Sequence, residues 1–167
     1  MPDPWHLSVP EVLLRLGLAA VFGGLVGAER EVKGRDAGIR THLLLSLGAA
    51  LFAVVSVGGF GDFQSHRNAT NVTLDPTRVA SYVAAGVGFL GGGAIIKGED
   101  RIRGLTTAAS LWVVAAIGLA AGLGLWSAAA IGSAIAIVAL VANGPINRAR
   151  RRAHLPDPSE EKPAGSG

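Results

Sequence analysis

Long apolar runs alternate with short polar segments along this chain, and five of the runs approach the length of a membrane span. They occupy residues 12–28, 43–61, 79–96, 105–125 and 127–142. A hydrocarbon core of about 30 Å requires roughly 20 helical residues, so the shorter runs need flanking residues to complete a span. The pattern predicts an all-α fold, a polytopic membrane helix bundle of about five transmembrane helices.

The third run is unusually rich in glycine. It is uncharged over the 18 residues from Val79 to Ile96 and contains five glycines. Each interior glycine would destabilise a soluble helix by about 1 kcal/mol relative to alanine, whereas within a bilayer small residues let neighbouring helices approach closely. We therefore expect helix-packing positions at Gly88, Gly91, Gly92 and Gly93.

Small residues also recur at every fourth position on other runs. The sets are Ala20–Gly24–Ala28, Ala116–Ala120–Gly124 and Ala128–Gly132–Ala136. This spacing is typical of packed membrane helices, although a chain rich in alanine and glycine also produces it by chance.

The composition agrees with a membrane protein and argues against other classes. Half of the residues are hydrophobic and 16% are charged, compared with about 25% charged in soluble domains. The pI is near 10.0, but the basic residues lie between apolar runs and only 5% of residues are aromatic. We therefore expect no nucleic-acid partner. The absence of cysteine excludes disulfides and thiolate metal sites.

The basic residues indicate how the bundle is oriented. Eleven Lys and Arg residues lie in the segments 29–42, 97–104 and 148–152, whereas Arg15, Arg67 and Arg78 lie toward the opposite side. Because basic loops of membrane proteins stay in the cytoplasm, we expect the N-terminus outside and the C-terminus inside a bacterial inner membrane. Residues 1–146 form the predicted transmembrane domain, and residues 147–167 form a basic and then disordered cytoplasmic tail.

No arrangement of side chains in the sequence indicates catalysis. Gly86-x-Gly88-x-x-Gly91 matches a dinucleotide-binding string, but no strand precedes it and its glycines lie within a span. The four histidines lack metal-ligand spacing, and no nucleophile–base or paired-carboxylate motif is visible. We expect no enzymatic activity, no cofactor and no metal site. The expected partners are the lipid bilayer and another membrane protein or a second copy of the chain.

Charged residues at the inner membrane boundary are the remaining candidates for a functional site. Glu29 and Arg30 follow the first apolar run directly, and Asp36 and Arg40 lie in the loop after them. Acidic groups near hydrocarbon are costly unless paired, so Glu29 and Asp36 are expected to pair with Arg30, Arg40 or Arg103. The alternative is a solvated loop in which Asp36 is only the N-cap of the second span.

Two further candidates lie on the outer side, before and within the first turn of the third span. Asp75 precedes a proline and is expected to cap this helix. Arg78 either extends outward to the membrane surface or pairs with a buried acid.

Four blocks of this sequence carry a family resemblance. They are GGLVGAERE, GRDAGIRTHLLLSLGA, DPTRVASYVAAGVGFLGGGAII and RGLTTAASLWVVAAIGLAAGLG, and they cover most of residues 23–124. In their order and spacing they resemble the MgtC/SapB family of bacterial inner-membrane proteins, which implies a five-span bundle with the N-terminus outside. The motifs of the family also imply functional positions, which are Asp36, Arg40, Gly88, Gly91, Gly93, Arg103, Thr106 and Thr107.

The resemblance implies a link to growth in low magnesium and to acid tolerance, through a regulator rather than a magnesium transporter. Virulence members of the family carry a soluble domain after the last span, whereas about 25 polar residues follow Ala142 here. We therefore expect the membrane module of the family without its virulence function.

Two hypotheses about function remain open. The first is a non-enzymatic regulator that binds another membrane protein. The second is a small ion or solute transporter whose path is lined by Glu29, Asp36, Asp75 and Arg78. No charged residue lies in the middle of a span and no internal repeat is evident, which favours the regulator.

Overall fold

The described residues form five helices and one short two-stranded antiparallel sheet, so the predicted all-α bundle is confirmed. The computed structural model describes residues 7–65, 77–99 and 101–152. In chain order the elements are α1 (Val9–Val32), α2 (Ile39–Ser65), α3 (Thr77–Ala94), β1 (Ile96–Lys97), β2 (Ile102–Arg103), α4 (Leu105–Gly122) and α5 (Trp126–Arg152).

Proline and glycine mark the helix ends. Pro10 lies in the first turn of α1, where its missing N–H removes no helical hydrogen bond. Gly34, Gly104 and Gly124 adopt φ angles of 63°, 88° and 82° in the tight connections around α1 and α4, a conformation that glycine reaches without steric cost. Helix α5 passes the predicted domain boundary at residue 146 and continues to Arg152. The rest of the predicted tail lies outside the described residues.

Within the described part of the chain, three helical segments are long and apolar enough to cross a membrane. They are Val9–Val32, Ile39–Gly58 and Leu105–Gly122, while the apolar part of α5, Trp126–Ala142, is shorter. Large apolar side chains such as Leu44 and Ile135 are each 64% exposed on the outside of the bundle. Such exposure is favourable in hydrocarbon, where a helix also satisfies its own backbone.

Helix α4 is central to the bundle and contacts all four other helices. Its buried side is made of small and branched residues, which pack against similar residues of its neighbours. The main core cluster consists of Ala19, Val26, Ala50, Val114, Ile117, Ala121 and Ala129. A core dominated by alanine brings helix axes close together, as is common within membranes.

The backbones of α2 and α4 touch at two glycines of α4. A Cβ atom at Gly118 would overlap the carbonyl oxygen of Ser46, and a Cβ at Gly122 would lie 2.5 Å from the carbonyl oxygen of Ala50. These distances leave no room for a side chain, so only glycine permits this packing. Gly118 and Gly122 are four residues apart and therefore lie on the same side of α4.

Three of the four glycines predicted to pack on α3 do not pack against any other described residue. A Cβ at Gly91 would contact the Cβ of Ala108 at 3.6 Å, but a Cβ at Gly88, Gly92 or Gly93 would meet nothing within 4 Å. Helix α3 turns its Gly91 side toward α4, and the other three glycines have no close neighbour among the described residues.

The close approaches predicted for α1 and α4 occur in a different register. Gly23 and Gly27 of α1 pack against α2, where added Cβ atoms would lie 2.5 Å from Ser46 Cβ and 2.7 Å from Ile39 Cα. The sets predicted for these helices, Ala20–Gly24–Ala28 and Ala116–Ala120–Gly124, are therefore not the positions of closest packing. The spacing of four was right, but spacing does not tell which side of a helix meets its neighbour.

We predict that Gly118→Ala lowers the thermal midpoint of the purified protein, because the new methyl group forces α2 and α4 apart. Overpacking of this kind typically costs about 1–3 kcal/mol. Gly88→Ala is the matched control: its methyl group meets open space, and the better helix propensity of alanine leaves stability unchanged or raises it. Thermal unfolding in detergent compares the two, and equal losses would contradict the described packing.

Candidate functional site

A cluster of buried polar side chains lies at the end of the bundle where α1 ends and α2 and α4 begin. Arg30, His42, Thr107 and Ser110 are 4%, 0%, 7% and 5% exposed, respectively. These four residues, from three helices, are called the buried polar cluster below. Ionisable residues inside a membrane bundle are costly, and they commonly mark functional sites.

Arg30 joins α1 to the first turn of α4. Its Nη2 donates a hydrogen bond to Thr107 Oγ1 at 3.0 Å. Its Nε is buried without a hydrogen-bond partner in the described structure. Among the described residues no carboxylate oxygen lies within 4.0 Å of the guanidinium, so no direct ion pair neutralises it.

His42 joins the start of α2 to α4. Its Nδ1 lies 2.9 Å from Gly38 O, which can only accept, so Nδ1 carries a hydrogen. Its Nε2 lies 3.1 Å from Ser110 Oγ, which also lies 2.8 Å from Thr107 O. A neutral imidazole accepts the Ser110 hydroxyl at Nε2. A protonated imidazole instead donates from Nε2 to Ser110 Oγ, and the Ser110 hydroxyl then donates to Thr107 O.

The chemistry of the cluster differs from that of a metal site. It offers a guanidinium, two hydroxyls and an imidazole but no carboxylate, whereas Mg²⁺ takes carboxylate oxygens and water. The residues that the structure describes contain no group of three His, Asp or Glu side chains arranged to hold a metal ion. The arrangement suits hydrogen bonding to an anionic or polar partner.

Glu29 does not pair with any of the arginines predicted for it. Its carboxylate forms an ion pair with Lys33, four residues later on the same helix, a spacing that places the two side chains together. Lys33 Nζ also donates to Leu140 O at 2.7 Å. This contact links the end of α1 to α5.

Asp36 lies outside the buried polar cluster, and the ion pair predicted for it is not formed. Asp36, Arg40 and Arg103 are all exposed, and the structure contains no ion pair between them. An exposed pair stabilises by only about 0–1 kcal/mol, too little to hold the two loops together. Asp36 is not the cap of α2 either, because Glu31 Oε2 accepts the N–H of Ile39 at 2.8 Å.

The remaining predicted positions have separate surroundings. Thr106 is exposed although its neighbour Thr107 is buried, because consecutive residues of a helix point in different directions. Arg78 is exposed in the first turn of α3. Asp75 lies outside the described residues.

His42 and Ser110 were missed by the reading of the sequence. The available signal was their polarity within otherwise apolar spans, at the ends nearest to Arg30 and Thr107. Polarity alone does not show which residues meet, since the contacts among the cluster join positions 68 and 77 residues apart.

A structural role of Arg15 was not predicted either. Arg15 joins α1 to the far end of α4. Its Nη1 donates to Gly122 O at 2.9 Å, and its Nη2 lies 3.4 Å from Glu11 Oε1. A cation at the C-terminal end of a helix is favourable, because unpaired carbonyl groups concentrate negative charge there.

We predict that Thr107→Val destabilises the protein by about 1–3 kcal/mol, because a valine of similar shape leaves the buried Arg30 Nη2 without its acceptor. Thr106→Val, the same change at the exposed neighbour, is expected to stay within about 0.5 kcal/mol of wild type. Denaturant unfolding in detergent measures both variants. A loss in Thr106→Val as large as that in Thr107→Val would show that the Arg30 contact is not the cause.

Comparison with known proteins agrees with this architecture. Among similar proteins, the putative magnesium transporter YhiD of Escherichia coli strain K12 is 50% identical over 107 residues, which are 64% of this chain and 48% of that protein. Protein SapB of Bacillus subtilis strain 168 is 35% identical over 114 residues, 68% of this chain and 47% of that protein. Protein MgtC of Brucella abortus strain 2308 is 44% identical over 99 residues, 59% and 37% of the two chains.

The chain thus spans less than half the length of each of these relatives. No solved structure matches it. Residues 16–149, which include the buried polar cluster and most of the five-helix bundle, match the MgtC family. This chain therefore belongs to the MgtC family of membrane proteins.

Proposed function

We propose that this chain is a non-enzymatic regulator in the bacterial inner membrane that acts in magnesium and acid-stress homeostasis by binding another membrane protein. The magnesium link is supported by the family and by a relative named putative magnesium transporter. An orientation with the N-terminus outside is supported by the eleven basic residues of segments 29–42, 97–104 and 148–152.

The observation that carries this proposal is a side of α3 that no other described element covers. It is called the α3 face and is formed by Tyr82, Gly88, Phe89, Gly92 and Gly93. Tyr82 and Phe89 are 75% and 83% exposed, and the three glycines have open space around them. Within membranes, glycines at four-residue spacing let a second helix approach. The α3 face therefore suits an apolar transmembrane helix of a partner protein.

A groove between α2 and α3 extends this surface. It has a volume of about 530 Å³ and is lined by apolar residues that include Leu45, Phe52 and Val83. Gly86 opens its wall, because no side chain projects there. Side chains of a partner helix on the α3 face can fill this groove without leaving any polar group unpaired.

The alternative function is transport, because a relative that is 50% identical to this chain is named a putative magnesium transporter. The packing gives it less support. The Gly118 and Gly122 contacts bring the backbones of α2 and α4 together, and the groove lining is apolar rather than polar. A proteoliposome flux assay with Mg²⁺ and monovalent cations separates the two functions. Flux above that of protein-free vesicles would favour the transporter.

We predict that a photo-crosslinking amino acid at Phe89 captures a membrane protein in cells and that Gly92→Leu abolishes this crosslink. The leucine side chain occupies the space that the partner backbone needs, while the chain itself keeps its stability because a Cβ at Gly92 meets nothing within 4 Å among the described residues. Growth in low magnesium is expected to fall in the same variant.

Gly17→Leu is the matched control, because Gly17 of α1 is also exposed and a Cβ there would likewise meet no described residue within 4 Å. It is expected to keep both the crosslink and growth. If Gly92→Leu retains the Phe89 crosslink and grows like wild type, the α3 face is not the binding surface.

A further inference from the structure

We propose that Arg30 and the N-terminus of α4 form a binding site for a phosphate group, called the phosphate site below. It consists of the Arg30 guanidinium and the backbone N–H groups of Leu105, Thr106 and Thr107. It lies at the end of the bundle where α1 ends and α2 and α4 begin. The proposal does not depend on the α3 face or on the partner that binds there.

The first turn of α4 has free hydrogen-bond donors. The helix follows Gly104 and has no side-chain cap. Its first backbone bond runs from Ala108 N to Gly104 O at 2.8 Å. In the part of the chain that the structure describes, the N–H groups of Leu105, Thr106 and Thr107 have no acceptor. Helix N-termini of this kind carry partial positive charge and bind anions.

Arg30 adds a full positive charge at the same place. It is 4% exposed, and its Nη2 is anchored on Thr107 Oγ1, in the first turn of α4. A buried cation at the positive end of a helix is doubly unfavourable, once for desolvation and once for the helix dipole. The unpartnered Nε shows that the guanidinium retains donor capacity in this position.

The nearby acids do not neutralise this positive charge directly. Glu29 is held by Lys33, and Asp36 is exposed. Neither lies within ion-pair distance of the Arg30 guanidinium in the described structure. The negative charges of Glu29 and Asp36 partly offset the positive charge of Arg30, as do the carbonyl groups at the C-terminal end of α1. Within the described structure, none of these groups accepts a hydrogen bond from Arg30 Nε or from the free N–H groups of α4. An external anion would provide both the charge and the acceptors.

Phosphate fits this set of donors better than a small anion does. Its oxygens can take the planar N–H groups of a guanidinium and several backbone N–H groups at the same time. Chloride is a single point acceptor, and a metal cation would be repelled. The phosphate can come from the headgroup of a phospholipid or from free phosphate, because both present the same kind of oxygens.

The test measures thermal stability of the full chain in dodecyl maltoside, a detergent without phosphate. Four additions are compared at constant ionic strength: phosphatidylglycerol, a galactolipid without phosphate, inorganic phosphate, and chloride. We expect a rise of roughly 5 °C or more at about a hundredfold excess over the dissociation constant. A rise with phosphatidylglycerol alone identifies the lipid headgroup, and a rise with inorganic phosphate identifies free phosphate.

Variants assign the effect to the site. Arg30→Gln is expected to abolish the rise, and Arg30→Lys to weaken binding about tenfold, because lysine keeps the charge but loses the planar set of donors. Arg40→Gln is the matched control, because Arg40 is an exposed arginine near the same end of the bundle. It is expected to keep the rise.

If Arg30→Gln does not fold, the phosphate affinities of Arg30→Lys and Thr107→Val test the proposal instead. Thr107 is informative because its hydroxyl accepts a hydrogen bond from the Arg30 guanidinium and so positions it. Wild-type affinity in both of these variants would overturn the proposal. So would a rise with the galactolipid equal to that with phosphatidylglycerol, or no rise with either source of phosphate.

Discussion

Direct contact between the backbones of α2 and α4 is the constraint on which the rest of this bundle depends. Gly118 and Gly122 bring α4 against the carbonyl groups of Ser46 and Ala50. At this separation Thr107 and Ser110, in the first two turns of α4, reach the side chains of Arg30 in α1 and His42 in α2. Because hydrogen bonds weaken beyond about 3.2 Å, a small increase in the separation of α2 and α4 would break the buried polar cluster as well as the apolar core.

Two arginines of α1 hold the two ends of α4. Arg15 reaches Gly122 O at 2.9 Å, and Arg30 reaches Thr107 Oγ1 at 3.0 Å. The two pairs are separated by equal lengths of helix, about 22 Å, so α1 and α4 run antiparallel in register. Electrostatically the ends differ. Arg15 lies at the negative end of α4, whereas Arg30 lies at the positive end, where an added anion would stabilise the protein.

The elements could be predicted from the sequence, but the sides of the helices that meet could not. Apolar runs predict helices because a backbone in lipid must satisfy its own hydrogen bonds. The glycines of α3 are the most densely spaced, yet the close helix–helix contacts lie at Gly118 and Gly122 of α4 and at Gly23 and Gly27 of α1. In the site, Arg30 was indicated by its place at the end of an apolar run, and Thr107 by its motif. His42 could not be assigned, because only tertiary packing brings it to α4.

Disulfide crosslinking tests the α2–α4 packing most directly, because the chain contains no cysteine. Ala49 of α2 and Ala115 of α4 are buried in one cluster, whereas Gly88 of α3 faces open space. A disulfide requires Cβ atoms about 3.5–4.5 Å apart. We predict that oxidation in membranes crosslinks the Ala49→Cys/Ala115→Cys variant and leaves Ala49→Cys/Gly88→Cys reduced. Crosslinking of the second pair without the first would contradict the central position of α4.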